Sequence, residues 1–91
     1  MSAEYRPEAE VVELCRELIR IDTSNFGPDP GPGERVAAER VAELLDEVGI
    51  ASELLEPQPR RTSVVAHWAP EGVDRSLSPL LVHGHLDVVP A

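Results

Sequence analysis

The sequence predicts an α/β fold, and three observations carry that prediction. Apolar residues recur at helical spacing in two stretches before Gly49. After Gly49 the pattern shortens to the period of strands. A third apolar run, Leu80-Leu81-Val82, then ends in the polar cluster His83-Gly84-His85-Leu86-Asp87. In open α/β sheets, ligand sites lie at such carboxyl ends of buried strands.

Each element follows from local chemistry. Pro7 suits the first position of a helix, where its missing N–H costs nothing. Val11, Leu14, Cys15, Leu18 and Ile19 then fall on one face, and Glu8, Glu10, Glu13 and Glu17 on the others. Acids in the first turns and Arg16 and Arg20 in the last ones suit the helix dipole, and the segment Thr23–Gly27 ends the element. Residues 27–33, alternating glycine and proline, permit neither helix nor ladder. A second helix is expected from Glu34 to about Val48, with Val36, Ala37, Val41, Leu44, Leu45 and Val48 as its stripe and Gly49 as its left-handed stop. Strands are expected at Ile50–Glu56, broken by Pro57, and at Thr62–Trp68, centred on Val64, Val65 and Ala66. Residues 69–79 read as a turn-rich connection. Leu80–Val82 begins a third strand, expected to be buried on both faces.

Composition narrows the class. The 91 residues make one domain at most, 42% hydrophobic, with Tyr5, Phe26 and Trp68 as the only aromatics. The core must therefore come from Val, Leu, Ile and Ala. The net charge of −9 disfavours nucleic acid or an anionic membrane as partner. No apolar run approaches the about 20 residues of a membrane span, and the first residues carry no secretory pattern. The single Cys15 rules out an internal disulfide and fits a reducing, cytoplasmic setting. On the apolar helix face, Cys15 is expected to be a small buried hydrophobe.

His83, His85 and Asp87 form the cluster with ligand-like spacing. Residues two apart in an extended chain point to one side, so His85 and Asp87 project together. Gly84 allows the backbone a close approach. A metal-bound histidine commonly gives its other ring nitrogen to a carboxylate, which fixes tautomer and orientation. The bland alternative is a histidine pair and an acid marking where a buried strand meets solvent. Other candidates are weaker. His67, beside Trp68, reads as an edge residue, and the glutamates of both helices read as solvated faces. The glycines at 27, 31 and 33 lack the ending and the preceding strand of a phosphate loop.

Gly84-His85-Leu86-Asp87-Val88-Val89-Pro90 resembles the first metal-site motif of the zinc-dependent amidohydrolases and peptidases that include acetylornithine deacetylase, succinyl-diaminopimelate desuccinylase, aminoacylase and carnosine dipeptidase. Leu18-Ile-Arg-Ile-Asp-Thr-Ser-Asn25 resembles the end of that family's first helix. Gly33-Glu34 through Gly49-Ile50 resembles its second helix and the strand after it. The resemblance implies a zinc-exopeptidase-like catalytic domain, here its two N-terminal helices and first three strands. It also implies His85 as a zinc ligand and Asp87 as the carboxylate that orients its ring. The position of His83, two before the ligand, is not usually a ligand in the family. The cofactor implied is two zinc ions, with cobalt or manganese as substitutes. The substrates implied are N-acyl amino acids or short peptides, and the full-length enzyme would be a homodimer.

The family's bridging aspartate, base glutamate and remaining ligands have no counterpart before Ala91. Residues 1–91 are therefore expected to be the N-terminal part of a metallohydrolase catalytic domain, inactive alone and prone to associate through the uncovered third strand. Two other readings remain at this point. One is a non-catalytic α/β binding domain, and the other a small metal-binding protein that joins His83 and His85 across a dimer.

Overall fold

In a computed structural model, the protein is described over residues 6–29 and 31–91. Residue 30, within the predicted Gly/Pro loop, and the first five residues, where no secretory pattern was read, lie outside that description. The elements run α1 (Pro7–Ile19), α2 (Arg35–Glu47), β1 (Ser52–Gln58) and β2 (Arg61–Ala66). No helix among the described residues is long and apolar enough to cross a membrane. The α/β class holds; α2 lies within a residue of its expected bounds at each end, whereas α1 begins at Pro7 as expected but stops at Ile19, leaving Arg20 as its cap and falling short of the Thr23–Gly27 segment. Pro7 opens α1, with Glu8 and Glu10 in its first turn and Arg16 in its last. Past α2, Gly49 takes φ +80°, the left-handed conformation expected of a helix stop.

β1 and β2 form an antiparallel hairpin in which Leu54 faces Val64 and Glu53 faces Val65. β1 runs through Pro57 rather than ending before it. The ladder shifts register between Leu55 and Gln58, so the missing proline N–H falls in an irregularity rather than in a regular rung. Pro59 and Arg60 make the turn between Gln58 and Arg61. Arg60 takes φ +69°, the region that the third residue of a type II turn requires and that glycine usually fills.

α2 packs against both strands. Ala37 and Ala38 are fully enclosed there, because small side chains let the helix approach the sheet closely. They are the only buried apolar residues among those described; the other buried groups include the polar Thr23, Glu34 and Thr62. The Cα radius of gyration is 15.7 Å, against about 12 Å for a compact domain of this length.

Two expectations fail for one reason: the surfaces that should be covered are bare. The third strand is absent. Residues 80–82 belong to no ladder, and Leu80, Leu81 and Val82 are 88%, 86% and 85% exposed instead of buried on both faces. On α1, Val11, Cys15 and Ile19 are exposed, and only Leu14 and Leu18 of the predicted stripe are half-buried. α1 leans on the rest of the protein through an ion pair between Glu17 and Arg40 of α2. No described element packs along the remainder of its apolar face.

Candidate functional site

The polar cluster is held in place by the segment that follows α1. Ser24 and Val88 form a parallel bridge. The Asn25 amide N–H donates to the Val88 carbonyl at 2.8 Å, and the Val88 N–H donates to the Thr23 carbonyl at 3.1 Å. The Thr23 hydroxyl donates to the Leu86 carbonyl at 2.8 Å. The Asn25 side-chain amide donates to Asp87 Oδ2 at 2.9 Å. A Thr-Ser-Asn stretch is suited to this work, since its short polar side chains bond to nearby backbone when the chain is not helical.

His85 and Asp87 meet as their spacing predicts. His85 Nδ1 lies 3.1 Å from Asp87 Oδ1 and 2.9 Å from the Asp87 carbonyl oxygen. Both neighbours are acceptors, so Nδ1 must carry the hydrogen. In the neutral ring the lone pair then sits on Nε2, on a side chain that is 79% exposed. The Asn25 amide and the His85 ring hold the Asp87 carboxyl below its ordinary range, against a smaller opposing effect of burial. Asp87 is therefore a carboxylate at neutral pH. A Cβ on Gly84 would meet nothing within 4 Å, so none of the described residues requires a glycine there.

A cleft of about 780 Å³ lies between this segment and β2, lined among others by Asn25, Glu34, Arg61, His83, His85 and Asp87. Asn25, His85 and Asp87 also border a second depression of about 560 Å³ beside Val88 and Val89. The three residues form a wall with open space on either side. His83 is brought to the same cleft as His85, as alternation suggests, and is exposed.

Glu34 is the residue that sequence reasoning placed wrongly. Grouped there with the solvated glutamates, it is 6% exposed and forms an ion pair with Arg61 at 2.9 Å. Burial raises its carboxyl pKa, the nearby Arg61 charge opposes that rise, and the Asp87 charge adds to it. The hairpin turn causes the burial. Its Arg60 carbonyl accepts the Glu34 N–H at 3.1 Å, and Arg60 Nη1 donates to the Gly31 carbonyl at 3.0 Å. Between those bonds Gly33 takes φ +85°, and a Cβ on it would lie 2.6 Å from both the Arg60 carbonyl oxygen and Cβ. The run Gly31-Pro32-Gly33 ahead of Glu34 was the available signal: two glycines that must tolerate close backbone mark a docking point. Asn25 closes the Leu18–Asn25 segment, and its contact with Asp87 spans too much sequence to be legible in spacing.

The donors present fit one corner of a metal site, an imidazole whose second nitrogen is tied to a carboxylate. They do not complete one. A catalytic zinc needs about three protein ligands, and no group of three or more His, Cys, Asp or Glu among the described residues is placed to hold a metal ion. The chain matches no protein-family model, no curated protein and no solved structure.

Proposed function

We propose that residues 1–91 are the N-terminal part of the catalytic domain of a zinc-dependent amidohydrolase or peptidase acting on N-acyl amino acids or short peptides. In that role His85 contributes one zinc ligand through Nε2, and Asp87 holds the ring from the opposite side. The observation that carries the reading is the hydrogen bond from His85 Nδ1 to Asp87, which sets the tautomer a metal ligand requires.

A second observation supports it. The three stretches on which the family resemblance rests are distant in sequence, yet they meet. Thr23–Asn25 clasps Leu86–Val88, and Glu34 lines the cleft that His85 and Asp87 border. On this reading the other ligands and the general base come from outside these residues, so the 91 residues alone hydrolyse nothing. The bare Leu80–Val82 run agrees, because a zinc-exopeptidase-like sheet would cover it. The lone cysteine suits a cytoplasmic enzyme. The complete protein would be a homodimer and would bind neither nucleic acid nor membrane.

Calorimetric titration of the chain with Zn²⁺ tests the assignment. The proposal expects weak binding that His85→Ala abolishes. Tight binding coupled to dimerisation and dependent on His83 would replace it with a metal site shared between two chains. No binding at all would leave a non-catalytic α/β domain.

A further inference from the structure

We infer that Asn25 is a positioning residue, which aligns the Asp87 carboxylate on His85 Nδ1 and so reinforces the ring's tautomer and direction beside the Asp87 backbone carbonyl. The inference gains its functional weight from the reading of His85 as a metal ligand, but it stands on geometry within this chain.

The Asn25 side chain is committed at both ends. Its Oδ1 accepts the Gly27 N–H at 2.9 Å, closing a turn on the residues just after it. An amide has its acceptor and its donor on opposite arms. Fixing Oδ1 on Gly27 therefore aims Nδ2 at Asp87 Oδ2, at 2.9 Å. That bond leaves Oδ1 of the same carboxylate facing the imidazole, at 3.1 Å from Nδ1. Three side chains thus stand in series: the Gly27 turn orients an amide, the amide orients a carboxylate, and the carboxylate orients a ring. A carboxylate held only by His85 could rotate about its terminal torsion, which is soft. With one oxygen occupied by Asn25 it cannot turn without breaking a bond. Asn25 also bonds Val88 through its backbone N–H. Docking of the segment and alignment of the carboxylate therefore belong to one residue but to different atoms, and a side-chain change can separate them.

Asn25→Asp makes that separation. It keeps an oxygen to accept the Gly27 N–H and keeps the backbone bond to Val88. It removes the donor to Asp87 and places a like charge there. The measurement is the pair of ring ¹⁵N shifts of His85 in the full 91-residue chain, at a mildly alkaline pH where an ordinary imidazole is neutral. The wild-type chain is expected to hold the hydrogen on Nδ1. In the variant only the Asp87 backbone carbonyl, 2.9 Å from Nδ1, still accepts that hydrogen, so the ring shifts are expected to move part-way toward the Nε2–H form favoured by free imidazole, while the Val88 amide signal stays in place. Asp87→Asn, as a reference, should shift the ring at least as far. A variant whose ring signals match the wild type overturns the proposal. So does a ring change that appears only together with displacement of the Val88 amide, since that assigns Asn25 a purely structural role.

Adding Zn²⁺ alone to the same samples separates this result from the functional reading. Weaker zinc binding in Asp87→Asn than in the wild type supports both. Zinc that binds neither protein removes the metal reading and leaves the ring result to decide the role of Asn25.

Discussion

Residues 80–82 and 86–88 are separated only by His83-Gly84-His85, yet the chain treats them in opposite ways. Leu86, Asp87 and Val88 are fastened by four hydrogen bonds to Thr23 and Asn25. Leu80, Leu81 and Val82 stand almost fully in solvent. The magnitudes explain which segment is complete. Each hydrogen bond contributes about 0.5–1.5 kcal/mol net, which the protein realises with its own groups. Burying a valine or leucine is worth about 1.5–3 kcal/mol, so the exposed run leaves more stabilisation unrealised than the docked segment gains. The docked half needs only polar groups that residues 23–25 already supply. The exposed half needs an apolar surface that no described element presents.

The contrast can be broken at its functional end first. In an active hydrolase carrying this segment, His85→Ala should remove turnover of N-acetyl amino acids altogether, with the far-ultraviolet circular dichroism unchanged. Retained activity would show that the docked segment is scaffold alone. Asp87→Ala should act less severely, weakening zinc retention about 10–100-fold, as read by competition with a chelator.

Gly33→Ala tests the docking of the hairpin turn on α2, the support on the far side of the cleft. A Cβ at φ +85° and 2.6 Å from the Arg60 backbone should destabilise the chain by about 1–3 kcal/mol. The urea midpoint should fall accordingly. An unchanged midpoint would mean that the turn does not sit on Gly33 in solution.

The exposed run should respond in the reverse sense. Replacing Leu80, Leu81 and Val82 together by serine should change stability by no more than about 0.5 kcal/mol per position, the usual range for exposed sites. Light scattering should nonetheless show less self-association. A large loss of stability would mean that these residues are buried after all.

The smallest effect is in pH dependence. The Thr62 hydroxyl, with Arg35, holds the Glu56 carboxyl below its ordinary value. Its contribution is therefore present above a pH of about 4.3 and is lost as the pH falls through the depressed native value. Burial raises Glu34. Its contribution is greatest below about 4.3 and is lost as the pH rises through the raised native value. Glu56→Gln should flatten the acid limb of a plot of urea midpoint against pH, and Glu34→Gln the limb above it. If neither limb changes, neither carboxyl is shifted by folding.

The same contrast explains what could be read in the sequence. α1, α2 and the hairpin rest on local rules: Pro7 at a helix start, Gly49 at a stop, β-branched residues at 64–65. They lie close to where those rules put them. The Leu80–Val82 run has strand chemistry, but a strand needs a neighbour, and pairing is not a local property. Cys15 and Ile19 fail in the same way, since a stripe becomes a core only when something covers it. At the site, the His85–Asp87 pair was legible because two residues apart on an extended chain must meet. Glu34 and Asn25 were not, because a hairpin turn and a distant carboxylate decide their roles.

The bond between the Thr23 hydroxyl and the Leu86 carbonyl joins positions 63 apart. Tying off a ring of that size opposes folding by about 4 kcal/mol plus a constant, comparable to what its few polar ties return. Those ties therefore leave the latch only a small net contribution of its own. A ligand or neighbouring strand that grips only the shut form needs little affinity to lock it.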